Sequence, residues 1–142
     1  MTVVIRTAGE EDEARCLDMI GALTGEPPST GWPSTFRALL SGDRGEILVA
    51  TEAERILGTV TVSYNLAIRY AGEYAQLEEL IVDPAARGKN VGGLLVEAVI
   101  ERARQRGCAE FGLYLMKETE KNRPFYEKYG FQAMGSEMRQ RL

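Results

Sequence analysis

Residues 77–95 read Leu-Glu-Glu-Leu-Ile-Val-Asp-Pro-Ala-Ala-Arg-Gly-Lys-Asn-Val-Gly-Gly-Leu-Leu, and this stretch decides the fold. A strand expected over Tyr74–Val82 runs into a proline-stopped turn at Asp83-Pro84 and then a Gly- and Asn-rich loop. From Val91 the spacing predicts a helix: Val91, Leu94, Leu95, Ala98 and Val99 form the i, i+3, i+4, i+7, i+8 stripe of a core-facing helix, which Gly107 ends. Such a layout aims unpaired N–H groups of the loop and helix N-terminus at one point, a ready anion site. Gly88, Gly92 and Gly93 let the backbone approach a ligand, and Arg87 and Lys89 add positive charge. The loop is not a P-loop, because Asn90 follows Lys89 where Ser or Thr would hold magnesium, and its spacing does not supply a dinucleotide fingerprint.

Outward from this stretch, Thr2–Arg6 reads as a short strand and Gly9 to Leu23 as a helix with an acidic front at Glu10, Glu11 and Asp12. Gly25–Pro33 is a loop by composition, followed by a short helix around Ser34–Leu40. Ile47–Thr51 and Gly58–Tyr64 form a hairpin across Glu52–Arg55; in its second arm Val60, Val62 and Tyr64 alternate with Thr59, Thr61 and Ser63. Downstream, Phe111, Leu113 and Leu115 mark a strand, Asn122–Tyr129 a short helix and Phe131 to about Arg139 a final strand. The order β-α-α-β-β-β-α-β-α-β implies an α/β fold of one domain, 1–142, with a mixed sheet of about six strands and helices packed on it.

The 142 residues carry 44% hydrophobic and 27% charged side chains, an ordinary globular balance. Seventeen basic against 21 acidic residues give a net charge of -4, which argues against nucleic acid as a partner. The absence of histidine removes histidine bases, Ser-His-Asp and Cys-His dyads and histidine metal sites. Cys16 and Cys108 are too few for a disulfide framework or a four-cysteine metal site and are expected to pack as small hydrophobes, Cys108 opening a strand. MTVVIRTAGEED turns acidic too soon for a secretory leader, and no apolar run nears 18 residues, so a cytoplasmic protein without a membrane partner is expected.

The chain resembles the GNAT superfamily of acyl-CoA-dependent N-acetyltransferases at two places. Their pyrophosphate loop reads Arg/Gln-x-x-Gly-x-Gly/Ala, and Arg87-Gly88-Lys89-Asn90-Val91-Gly92 matches it except that Asn90 stands where glycine is usual. Asparagine tolerates left-handed backbone angles, so the loop shape is expected to survive. Arg123-Pro-Phe-Tyr-Glu-Lys-Tyr-Gly-Phe131 is similar to the family's Phe-Tyr-x-x-x-Gly-Phe helix end, with Thr119 where an asparagine is often found. The loop and the compact length also resemble aminoalkylphosphonate N-acetyltransferases over a short stretch.

The resemblance implies acetyl-CoA as cosubstrate, no metal, and direct attack of a primary amine in a ternary complex. It assigns the pyrophosphate to Arg87, Gly88, Lys89, Asn90, Val91, Gly92 and Gly93. The pantetheine arm falls to the splayed strand edge Leu80, Ile81 and Val82, opposite Glu110–Leu115. Tyr126 occupies the family's tyrosine position and implies a proton donor to the leaving thiolate; packing with Phe125 and Tyr129 is the other reading. The amine must also lose a proton, and without histidine a carboxylate is the natural agent. Glu78 and Glu79, adjacent on a strand, should face opposite sides, so only one can serve. Glu78, sharing a face with Gln76, is preferred over Glu79, which interrupts the apolar series Ala75, Leu77, Ile81 and would pair beneath a helix. Trp32 and Tyr64 are candidate walls of the acceptor site, able to pack around a small cation, although a core tryptophan explains Trp32 equally well. A small-molecule amine is the first choice of acceptor. A protein N-terminus or lysine is the second, and a non-catalytic acyl-CoA sensor is the rival from another class. The edge at Phe131–Leu142 makes a homodimer a further expectation.

Overall fold

Alternation of Val60, Val62 and Tyr64 with Thr59, Thr61 and Ser63 builds the central strand of the computed structural model, which describes residues 2–142. Five strands, β1 (Val4–Thr7), β2 (Gly45–Glu52), β3 (Arg55–Ala67), β4 (Gly72–Val82) and β5 (Phe111–Gly112), form one sheet in that order. All neighbours are antiparallel except β4 and β5, which run parallel. The helices are α1 (Glu13–Thr24), α2 (Trp32–Leu39), α3 (Val91–Arg106) and α4 (Arg123–Lys128). The β2–β3 turn is made by Ala53 and Glu54, both at positive φ (50° and 67°), the backbone whose twist matches a two-residue hairpin.

The sheet is covered on both faces. On one, α3 lays Val91, Leu95, Val96 and Val99 on Val60, Val62, Ala75 and Leu77, all of them buried. Gly58 permits this approach, since a Cβ there would lie 2.9 Å from Val91 and 3.1 Å from Leu95. On the other face α1 and α2 bury Cys16 and Phe36 against Ile47 and Val49. Cys16 is therefore a core thiol, its Sγ 3.7 Å from the Thr59 hydroxyl. The acidic front is a 3-10 turn, Glu10–Asp12, and α1 begins only at Glu13. Asp12 accepts two hydrogen bonds from Arg6 (2.7 and 3.0 Å) and one from the Gly9 N–H (2.8 Å), which tie β1 to the start of α1. No helix among the described residues is long and apolar enough to cross a membrane.

Two expectations are corrected. The sixth strand does not form: after Gly130, which turns the chain at φ 94°, residues 131–142 join no ladder. Their apolar residues are widely spaced among Gly, Ser, Glu, Gln and Arg, so no continuous apolar face holds them on the core. The expected strand at Phe111–Leu115 shrinks to Phe111–Gly112, and Cys108 precedes it, bonded through its N–H to the Ala103 carbonyl at the end of α3. Because Leu95 is fully buried under the sheet, Leu95→Ala should lower stability by about 3 kcal/mol, read from urea unfolding with the slope unchanged.

Candidate active site

β4 is paired unequally along its two edges. β3 pairs with it from Gly72 to Val82, whereas β5 pairs only at Ala75↔Phe111 and Gln76↔Gly112. Beyond Gln76 the neighbour ceases to be a strand, so Leu77–Val82, including Leu80, Ile81 and Val82, present an open backbone edge. An extended amide-bearing ligand can complete that ladder, and an N–H in it can stabilise negative charge growing on a carbonyl oxygen.

At the end of this edge lies the loop. Asp83 stops the strand, its carboxylate accepting from the Ala85 N–H (2.9 Å) and from Arg15 of α1 (2.8 Å). Gly88 and Asn90 both take left-handed backbone (φ 88° and 56°), so asparagine does here what the usual glycine would. Asn90 is the N-cap of α3, yet its side chain makes no capping bond. The N–H groups of Val91, Gly92 and Gly93 in the first turn of this 16-residue helix are thereby left for an anion. The Asn90 side chain and the Tyr129 hydroxyl instead occupy the space where a Cβ on Gly93 would stand. A Cβ on Gly92 would only touch Phe125 (3.5 Å) and Val82 (3.7 Å). Gly93 is thus demanded by the protein's own packing and Gly92 is not.

The two cations of the loop differ. Arg87 is exposed and forms no ion pair among the described residues. Lys89 reaches back to Glu52 of the β2–β3 turn (2.7 Å), and that hydrogen bond holds the Glu52 carboxyl below its ordinary range. Thr119, standing where the resemblance has an asparagine, exchanges hydrogen bonds with the Met116 backbone (2.9 and 3.2 Å) and caps the turn leading to α4.

Glu78 and Glu79 give the clearest departure from the sequence reading. The β3–β4 register shifts here, with Thr61 opposite Glu79 but Val62 opposite Leu77, so Glu78 is the extra residue of a β-bulge. Strand parity is broken and both carboxylates lie on one face. Glu79 accepts a hydrogen bond from the Thr61 hydroxyl, Glu78 one from Ser63 (2.6 Å), and Thr61 and Ser63 share a face of β3. Asn65 donates to Ser63 in turn (3.0 Å). The core series of β4 is accordingly Ala75, Leu77, Leu80 and Val82, without Ile81. Burial raises the Glu79 carboxyl above its ordinary range, the Thr61 bond opposes this, and the neighbouring Glu78 charge adds to it. Glu78 is exposed.

Tyr126, half-buried on α4, packs edge-on against Phe125 (5.0 Å) and Phe131 (6.0 Å), and burial alone raises its phenol above the ordinary value. Trp32 opens α2 with its ring directed at Gly21 of α1. Tyr64 is not beside it. It belongs to the opposite, α3-covered face, where its hydroxyl bonds Glu46 and the Arg106 guanidinium stacks 3.9 Å over its ring. The protein's own cation fills that place, so the expected Trp32–Tyr64 cage is withdrawn. The residues missed from the sequence are Thr61, Ser63 and Asn65; their period-two spacing was visible, but only the bulge shows what they hold.

Residues 12–131 match the profile of the Acetyltransferase (GNAT) family. A glucosamine 6-phosphate N-acetyltransferase of Trypanosoma brucei brucei is 29% identical over 139 residues, 95% of this chain and 92% of that protein. Among solved structures, a transcriptional regulator from Bacillus halodurans C-125 superposes with a TM-score of 0.89 at 28% identity, covering 99% of this chain and all of that one. Glucosamine-6-phosphate N-acetyltransferase from Arabidopsis thaliana superposes with a TM-score of 0.80 at 28% identity, covering 99% of both chains. Gly93→Ala, which displaces Asn90 and Tyr129 from the mouth of α3, should weaken acetyl-CoA binding by about tenfold or more in a calorimetric titration.

Proposed function

The chain belongs to the acetyltransferase (GNAT) family, N-acetyltransferases that use acetyl-CoA as cosubstrate, and we propose that it acetylates a small, polar primary amine by direct attack. Glucosamine 6-phosphate is the first acceptor to try, because proteins named for that activity align over nearly the whole chain. The observation that carries the reading is the pair of carboxylates turned to one face by the bulge, at the point where β4 loses its β5 partner. Beside them Ser63, Asn65 and Gln76 form a polar wall that suits a hydroxylated ring better than an aliphatic amine.

In this reading acetyl-CoA supplies an activated acetyl group, and the chain binds and orients it. The N–H groups at Gly88 and Val91 to Gly93, with Arg87 alongside, take the pyrophosphate. Lys89 serves as a strut that fixes the loop to Glu52. The open edge Leu80–Val82 takes the pantetheine amides, and a donor on that edge polarises the thioester carbonyl, a contribution of about 3 kcal/mol in comparable sites. Glu79 is the better general base of the pair. Its burial disfavours its charge and raises its proton affinity, which matches it to an ammonium more closely than an ordinary carboxylate. Glu78, exposed and held by Ser63, faces the incoming ammonium. Tyr126 donates the proton to the thiolate; a phenol near ~10 is a reasonable acid toward a thiol near ~8.5, and burial makes it somewhat weaker. Trp32 walls the acceptor side. Two free cysteines suit a reducing cytoplasm.

Thiol release from acetyl-CoA across a panel of amines tests the proposal. Glucosamine 6-phosphate or a similar small amine should turn over fastest. Faster turnover of peptide N-termini or lysines would move the acceptor to proteins, and tight acetyl-CoA binding without turnover on any amine would make the chain a sensor. Glu79→Gln should lower kcat/KM by about a hundredfold. As the carboxylate is the active form and its folded value is raised, wild-type kcat/KM should climb with pH through a limb lying above the ordinary carboxylate range, and Glu79→Gln should abolish that limb. Tyr126→Phe should slow thiolate release by at least about tenfold while leaving acetyl-CoA affinity nearly unchanged.

A further inference from the structure

A side chain ties β3 to β4 at the bulge. The Glu79 N–H donates to the Thr61 hydroxyl (3.1 Å), which stands in for a main-chain carbonyl. That same hydroxyl donates to Oε1 of the Glu79 carboxylate. One threonine thus grips both the backbone and the side chain of one glutamate. Thr61 is only 2% exposed, which keeps water from competing for the bridge, and its β-branched side chain has little freedom at χ1. The two carboxylate oxygens become unequal. Oε2 accepts no hydrogen bond among the described residues, and no buried side-chain oxygen there lacks a partner, so Oε2 reaches the open face.

We propose, resting on the reading of Glu79 as general base, that Thr61 is its positioning residue: the bridge keeps Oε1 an acceptor and turns Oε2 to the amine. A hydroxyl has a single proton to give. With the Glu79 N–H on its lone pair, Thr61 directs that proton to Oε1. A proton placed on Oε1 would leave the hydroxyl proton without an acceptor in a buried place, so Oε2 is where Glu79 takes one up. In that step an N–H bond of the ammonium breaks and its electron pair stays on nitrogen as the attacking lone pair. The proton bonds to Oε2, and Glu79 becomes neutral. The charged group that bears on Glu79 is Glu78 beside it on β4. From α1, the Cys16 thiol is engaged with Thr59 and Arg15 with Asp83.

Thr61→Val keeps the shape and removes the hydroxyl. It should lower kcat by about tenfold with KM for the amine nearly unchanged, and Thr61→Ser should recover most of the loss. The Thr61 bond favours the charged carboxylate, so its removal should move the limb of the pH profile set by Glu79 to higher pH, and Thr61→Ser should bring it back. Added to Glu79→Gln, Thr61→Val should cost less than about twofold, because nothing is left to position. Carbon-13 NMR of the carboxyl groups reads the contact without catalysis. The Glu79 signal should titrate at higher pH in Thr61→Val, and in the wild type the Thr61 Cβ signal should follow the Glu79 titration. Additive losses in the double variant or a Glu79 titration unmoved by Thr61→Val overturn the proposal. So does a wild-type Thr61 signal blind to Glu79, a result that does not require the variant to fold. A pH limb that survives Glu79→Gln overturns the base reading instead, and it is told apart by a Glu79 carboxyl signal that still answers to Thr61.

Discussion

An open strand edge leaves half of the strand's backbone donors and acceptors to water or to a ligand, and β4 has such an edge from Leu77 to Val82. Everything distinctive about the site depends on that open edge. β3 holds the strand in place from its other side, and α3 closes over its core-facing side chains, so the edge stays rigid without a second strand. A ligand that completes the ladder meets a preorganised surface and incurs little ordering entropy. The edge also runs directly into Asp83 and the loop, so the open backbone edge and the N-terminus of α3 are set by one continuous stretch of chain.

The bulge at Glu78 is the second constraint, and it acts through parity. One extra residue in β4 turns two adjacent carboxylates to the same face and at the same time exchanges the core series from odd to even positions. The two glutamates then differ only in depth. Glu79 is partly buried beside Thr61, and Glu78 is exposed with Ser63 and Asn65 behind it. Burial raises the Glu79 carboxyl above its ordinary range, and the exposed Glu78 beside it adds to that shift.

Most of the fold was legible because its signals were local. The period of two in β3, the apolar stripe of α3, the Asp-Pro stop and the Gly107 end of α3 all act over a few residues. Asn90 could be read as a left-handed residue for the same reason, and the backbone bears this out. What was not legible depends on pairing. No residue in Gln76–Leu80 marks a bulge, so the opposite-face argument for Glu78 and Glu79 followed a rule that the register suspends. Tyr64 shares its strand with Ser63 but faces away from it, and only the position of Arg106, 42 residues on, shows that its ring is taken. The last strand did not form because Met134, Met138 and Leu142 come every fourth position, a spacing that gives no continuous apolar face to hold the segment on the sheet.

Backbone amide exchange with and without acetyl-CoA tests the central claim most directly. Peptides spanning Leu77–Val82 and Gly88–Gly93 should gain protection on binding, while β2 and the covered edge of β3 stay unchanged. Binding that leaves the open edge of β4 exchanging as fast as before, with protection elsewhere on the sheet, would contradict it.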